Sequence, residues 1–150
     1  MQKGKILALD YGKKRIGLAS GDLSLKIASP QGIIDNKNLD FAVTGILDFC
    51  RKWEVKTIVV GLPISMDEDK ENEMSKSVRK FEQILKEVLS KSKEEEFQSI
   101  EVLLFDERLS SFEADSLMSD AGKTTRDKKE YRDTYAACII LQRFFDSLGK

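Results

Sequence analysis

The chain has 150 residues, of which 41% are hydrophobic and 34% charged, a balance that fits one globular domain and excludes a disordered chain. It contains no histidine, which excludes Ser-His-Asp and Cys-His nucleophile systems and removes the commonest ligand of zinc and redox metals. The formal net charge is −1, so a polyanion would have to be held by a local cluster of cations.

Lys5–Leu9 and Arg15–Ser20 are short, largely apolar runs of strand length joined through Tyr11–Lys14, and they read as a hairpin with Gly12 in its turn. Asp10 ends the first run, and three consecutive cations, Lys13, Lys14 and Arg15, follow the glycine. Gln31–Ile34 reads as a third strand, completing an antiparallel meander. Asn38 is the expected N-cap of a helix reaching about Trp53. Leu39, Val43, Ile46, Leu47, Cys50 and Trp53 recur at spacings of three and four and make its core stripe. Thr57–Val60 is apolar and β-branched, as a strand covered on both faces would be, and Gly61-Leu62-Pro63 reads as the loop after it.

An acidic stretch, Asp67–Glu73, leads into a second helix with Met74, Val78, Phe81, Leu85 and Val88 on one face. Glu94–Ser99 reads as a charged connection. Ile100–Phe105 is the fifth strand and runs into Asp106-Glu107-Arg108. Ser110–Ala121 has a helical pattern, with Ser110 or Ser111 as N-cap and Gly122 as its stop. Gly122–Lys129 reads as a basic, mobile link, and a last helix from about Lys129 to Leu148 is apolar through Tyr135–Leu141. Three antiparallel strands followed by strand–helix–strand crossovers predict an α/β fold: one mixed sheet of five strands, three antiparallel and two parallel, with helices on both faces.

In such a sheet, ligands gather at the strand ends. Asp10 and Asp106-Glu107 stand at two of them, and Asp133 opens the apolar part of the last helix. Strand alternation lets only one of Asp106 and Glu107 face a common site, and Asp133 has the rival role of a helix cap. Carboxylates without histidine suit a hard cation, Mg²⁺ or Mn²⁺, and a pair of such ions roughly 3.5–4 Å apart suits phosphodiester hydrolysis. With 26 acids in the chain, spacing alone does not single out this triple. Two basic segments, residues 1–20 and 122–132, can converge on one polyanion-binding face, although solvated surface explains either run taken singly. Tyr11 and Tyr135 are candidates to stack on a base, with packing as the alternative.

Cys50 and Cys138 lie in apolar, helix-like segments and read as buried thiols. No apolar run approaches the roughly 20 residues of a membrane helix, and no signal-peptide pattern opens the chain. The expectation is a cytoplasmic protein without membrane contact.

Five blocks together resemble the YqgF/RuvX family: LDYGKKRIGLASGD (Leu9–Asp22), IASP (Ile27–Pro30), VVGLPISMD (Val59–Asp67), DERLSSFEA (Asp106–Ala114) and DTYAACIILQRFF (Asp133–Phe145). The resemblance runs nearly end to end and implies a single RNase H-like domain over residues 1–150. It implies a metal-dependent nuclease with Asp10, Glu107 and Asp133 as catalytic ligands of one or two Mg²⁺ or Mn²⁺ ions. Members of the family are described as trimming the 5′ end of precursor 16S ribosomal RNA or as Holliday-junction resolvases. Lys13, Lys14, Arg15, Arg108, Ser110, Lys123 and Arg126 would then touch precursor rRNA or branched DNA. The chain departs from the family pattern at Glu68, where members often have glycine, and the acids of 67–73 would repel a nucleic-acid backbone unless they point away.

A non-catalytic nucleic-acid-binding module is the reading from another class, opposed by the cost of unneutralised carboxylates at a phosphate site. An actin-like phosphate-transfer ATPase shares the Asp-Tyr-Gly turn but needs a second related domain, for which 150 residues leave no room. The sequence leaves monomer and homodimer both open.

Overall fold

A computed structural model describes residues 4–62, 73–106 and 125–148; for Asp106 and for 125–133 it describes the backbone. The elements are β1 (Lys5–Tyr11), β2 (Arg15–Asp22), β3 (Ser29–Asp35), α1 (Leu39–Trp53), β4 (Val55–Leu62), α2 (Glu73–Lys91), α3 (Glu95–Gln98), β5 (Glu101–Asp106) and α4 (Thr125–Leu148). The sheet order is β3-β2-β1-β4-β5. β1 pairs antiparallel with β2, as β2 does with β3, while β4 runs parallel to both β1 and β5. This is the expected mixed five-stranded sheet.

The two-residue period of the strands sorts the core into two layers. Leu7 and Leu9 of β1, Ile16 and Leu18 of β2, and Ile58 and Val60 of β4 face α1 and α2, where they meet Ala42, Val43, Ile46, Val78, Phe81 and Leu85. Ile6, Ala8, Ala19 and Val59 face the other way, onto Ala137, Ile140, Leu141 and Phe145 of α4. Ala8 and Ala19 are cross-strand partners, so small residues on the sheet meet Ala137 on the helix, which lets α4 lie close. At Gly21 the approach is tighter still: an added Cβ would sit 2.7 Å from the Phe145 ring and 2.6 Å from the Ile27 carbonyl oxygen.

Asn38 caps α1 as expected, its side-chain oxygen accepting from the Phe41 amide at 2.7 Å. Trp53 sits at the margin of the core, stacked on Phe49 at 5.5 Å with the Lys5 ammonium 5.2 Å from its ring. Cys50 is buried, and burial pushes its thiol up to about 12; Cys138 is only half-buried, with its thiol also raised by desolvation.

Three expectations need correction. Glu94–Ser99 is not a plain connection, because Phe97 is buried and anchors the short helix α3. The Arg51 guanidinium lies 5.0 Å from the Phe97 ring and pairs with Glu94 at 2.9 Å. Gly61 and Leu62 belong to β4, held by ladder partners Phe105 and Asp106. Residues 125–129 are the first turns of α4 and not a link. The helix expected over Ser110–Ala121 and the acids of 67–72 lie outside the described residues. Among the described residues, no helix is long and apolar enough to cross a membrane.

Candidate active site

Asp10 is the last residue but one of β1, at the rim where the parallel strands β1, β4 and β5 all end. The alternation that turns Ile6 and Ala8 toward α4 puts Asp10 on that same face. Its partner across β2 is Gly17. On the other side, Ala8 registers with Val59, so two residues further on Asp10 stands beside Gly61. A half-buried carboxylate thus has a glycine beside it on each neighbouring strand.

The turn that follows is held from both sides. An added Cβ at Gly12 would lie 2.5 Å from the Arg15 carbonyl oxygen, so only glycine closes this connection without a shift. The Asn36 side-chain amide donates to the Gly12 carbonyl at 2.9 Å, and the Asn36 backbone amide donates to the Lys14 carbonyl at 2.8 Å. Lys13 and Lys14 are exposed at the tip. Arg15 opens β2 on the parity of Gly17 and Ala19, hence on the Asp10 face. Tyr11 points the opposite way, its ring 4.5 Å from Phe81, so it does not face the Asp10 side.

β5 brings the backbone of Asp106 to the same rim. Gly61 pairs with Phe105 and Leu62 with Asp106, which places the end of β5 two strands from Asp10, about 10 Å at the usual spacing of neighbouring strands. Phe105 packs on the α4 layer and Leu104 on the other. Glu107 is the next residue in the sequence and lies outside the described residues, as do Arg108, Ser110 and Lys123. Asp133 and Arg126 are on α4, where the backbone alone is described. Among the described residues no group of three metal-ligating side chains gathers; of the expected triad only Asp10 has a described side chain.

The position of Asp133 is nonetheless fixed through its neighbour. The Thr134 hydroxyl donates to the Leu18 carbonyl at 3.0 Å and accepts from the Gly32 amide at 3.1 Å. Both groups sit at a bulge, where Leu18 registers with Gly32 and Ala19 with Pro30, leaving Gln31 unpaired, and where Gly32 has a φ of 99°. Leu18 is in turn the cross-strand partner of Leu9, the residue before Asp10. The turn of α4 carrying Asp133 is therefore pinned one strand away from β1. Further along, the Gln142 side chain accepts from the Ala28 amide at 3.1 Å and donates to the Lys26 carbonyl at 3.0 Å, fixing the rest of the helix. Sequence reading missed Gly17 and Thr134; the available signals were a glycine in an apolar strand and a hydroxyl in an otherwise apolar helix.

Comparison with known proteins places this arrangement. The profile of the family described as "RuvX: Holliday junction resolvase" matches residues 4–147. A relative from Anaeromyxobacter sp. (strain Fw109-5), named "Putative pre-16S rRNA nuclease", is 36% identical over 95% of this chain and 96% of its own length. One of the same name from Methylobacillus flagellatus is 37% identical, covering 98% and 94%. Among solved structures, T. thermophilus RuvC in complex with a Holliday junction substrate aligns with a TM-score of 0.53 at 9% identity, over 96% of this chain and 94% of that one. That likeness bears on the fold, which is RNase H-like as expected. On the profile match and the curated relatives, the chain belongs to the RuvX family.

Proposed function

We propose that the chain is a divalent-metal-dependent nuclease, working as a single RNase H-like domain, that processes the 5′ end of precursor 16S rRNA. The reading is carried by one observation: Asp10 stands at the rim end of the central strand with a glycine beside it on each neighbouring strand, Gly17 and Gly61. Family membership and the names of the curated relatives support the substrate.

A hard cation fits this donor set, since the acids offer only oxygen and the neighbours of Asp10 on both flanking strands are glycines, which have no side chain. Asp10, Glu107 and Asp133 would hold one or two Mg²⁺ or Mn²⁺ ions. Bound there, the metal would supply an activated water and charge stabilisation on the leaving oxygen. The chain's own part is to hold the three carboxylates at fixed separation: Asp10 through the sheet, Asp133 through the Thr134 anchor. Arg15, on the Asp10 face, orients the scissile phosphate, while Lys13 and Lys14 hold the flanking backbone. Arg108, Ser110, Lys123 and Arg126 complete the proposed binding surface.

The test is cleavage of a precursor 16S 5′-leader RNA by wild type and Asp10→Asn, in Mg²⁺ and in Mn²⁺. The expected loss exceeds about a hundredfold, beyond that typical of a residue that merely orients a ligand. Equal cleavage by the two proteins overturns the carboxylate site. The family profile's own description favours a second reading, a resolvase acting as a dimer at the same site. Symmetric nicking of a four-way junction, with no cleavage of the leader RNA, selects it.

A further inference from the structure

On the side of the sheet away from Asp10, a groove of about 340 Å³ opens between the β1–β2 turn and α2. Tyr11 and Phe81 form its aromatic wall, Lys13 and Lys80 its cationic rim, and Asn36 and Ser77 supply polar groups between them. In a chain with 26 acidic residues, no carboxylate is among the described residues lining it. Neither lysine is in an ion pair among the described residues. Both lysines are exposed, so a phosphate would meet them without breaking an existing bridge.

The groove is also rigidly tied to the candidate active site. Tyr11 directly follows Asp10, and their side chains leave β1 on opposite faces. Asn36, which lines the groove, holds the turn carrying Lys13 through its bonds to the Gly12 and Lys14 carbonyls. Single strands are bound where cations track the backbone and an aromatic ring offers a face to a base. Tyr11, half-buried and backed by the fully buried Phe81 at 4.5 Å, is such a ring held in place.

We propose that this groove is a second subsite for a single RNA strand, which crosses the rim over the Gly12–Lys14 turn. One flanking nucleotide places its phosphate between Lys13 and Lys80 and its base against Tyr11. This rests on the nuclease reading, and it adds a binding site on the face opposite the cut.

The test uses the full chain and a single-stranded RNA of leader sequence, with Lys80→Ala compared against Lys91→Ala at the far end of the same helix. Affinity is measured across a salt series in Ca²⁺ and cleavage in Mg²⁺. Lys80→Ala is expected to weaken binding at least about fivefold. It should also lower the slope of log affinity against log salt by about 0.7 to 1, the change produced when one phosphate is no longer neutralised. Lys91→Ala leaves both unchanged, and the rate at saturating RNA stays near wild type in both. A 4-thiouridine probe is expected to crosslink to the peptide containing Ser77–Ile84. Equal affinity and slope for the two variants, or crosslinks confined to other peptides, overturn the subsite while wild-type cleavage leaves the nuclease reading intact. A wild type that neither binds nor cleaves the RNA overturns both.

Discussion

Thr134 shows how one hydroxyl can decide where a neighbouring acid stands. Its two bonds join α4 to Leu18 and to Gly32 across the bulge; the bond to the Leu18 carbonyl is buried, where that oxygen has no water to fall back on, while the Gly32 amide lies at the exposed edge. Replacing it with valine keeps the shape and removes both bonds, leaving the buried Leu18 carbonyl without its hydroxyl partner. The expected cost is about 1–3 kcal/mol in urea unfolding, largely restored in Thr134→Ser. If the proposed role of Asp133 holds, kcat should fall in Thr134→Val with KM little changed, because RNA-binding groups elsewhere are untouched. A loss of stability with kcat unaltered would make Thr134 a purely structural anchor. Asp10 was legible in the sequence as an acid at a strand end before a glycine turn. Thr134 was not, because its partners are more than 100 positions away, and nothing local distinguishes it from a solvent-facing threonine.

At the scale of elements, the hairpin β1–β2 does most to organise the site. It sets Asp10, Arg15 and Gly17 on one face and Tyr11 on the other, with Gly12 closing the turn against the Arg15 carbonyl. Gly12→Ala would push a Cβ into backbone at 2.5 Å, so the turn must open, displacing Lys13 and Arg15 together. The expected result is a destabilisation of about 1–3 kcal/mol, the usual cost of forcing a strained conformation, with RNA affinity falling more than it does in Lys13→Ala. Affinity equal to that of Lys13→Ala would show that the turn absorbs the methyl without moving Arg15. The elements themselves were largely legible: apolar alternation, the Asn38 cap and the stripe of α1 all found their places. Pairing was harder to see. Gly17 opposite Asp10, the unpaired Gln31 and the extension of β4 through Leu62 depend on which strand lies alongside, and a local pattern carries no information about that. The short α3 was missed because a single buried aromatic, Phe97, outweighs the charges around it.

For the molecule as a whole, the layered core and the proposed site are separate. Among the described residues, apolar clusters close the sheet from both faces, and Phe81 and Phe145 are fully buried. A core of this kind predicts folding without a metal, unlike a small domain whose core is supplied by one. EDTA is expected to abolish cleavage while leaving the circular-dichroism spectrum unchanged and the unfolding cooperative, with the midpoint lowered only by the mass-action contribution of the bound ion. Binding to the folded state alone still adds stability by mass action, about 1.4 kcal/mol at a free Mg²⁺ concentration ten times Kd. For a domain of this size that corresponds to a rise of about 3–6 °C in Tm. Asp10→Asn should fold with a similar midpoint in EDTA and show little of the rise, because it removes a proposed ligand from the rim and nothing from either core. An equal Mg²⁺-dependent rise in both proteins would place the cation elsewhere on the protein, and unfolding in EDTA would make the metal structural. Because this measurement needs neither RNA nor turnover, it tests the carboxylate site independently of the substrate.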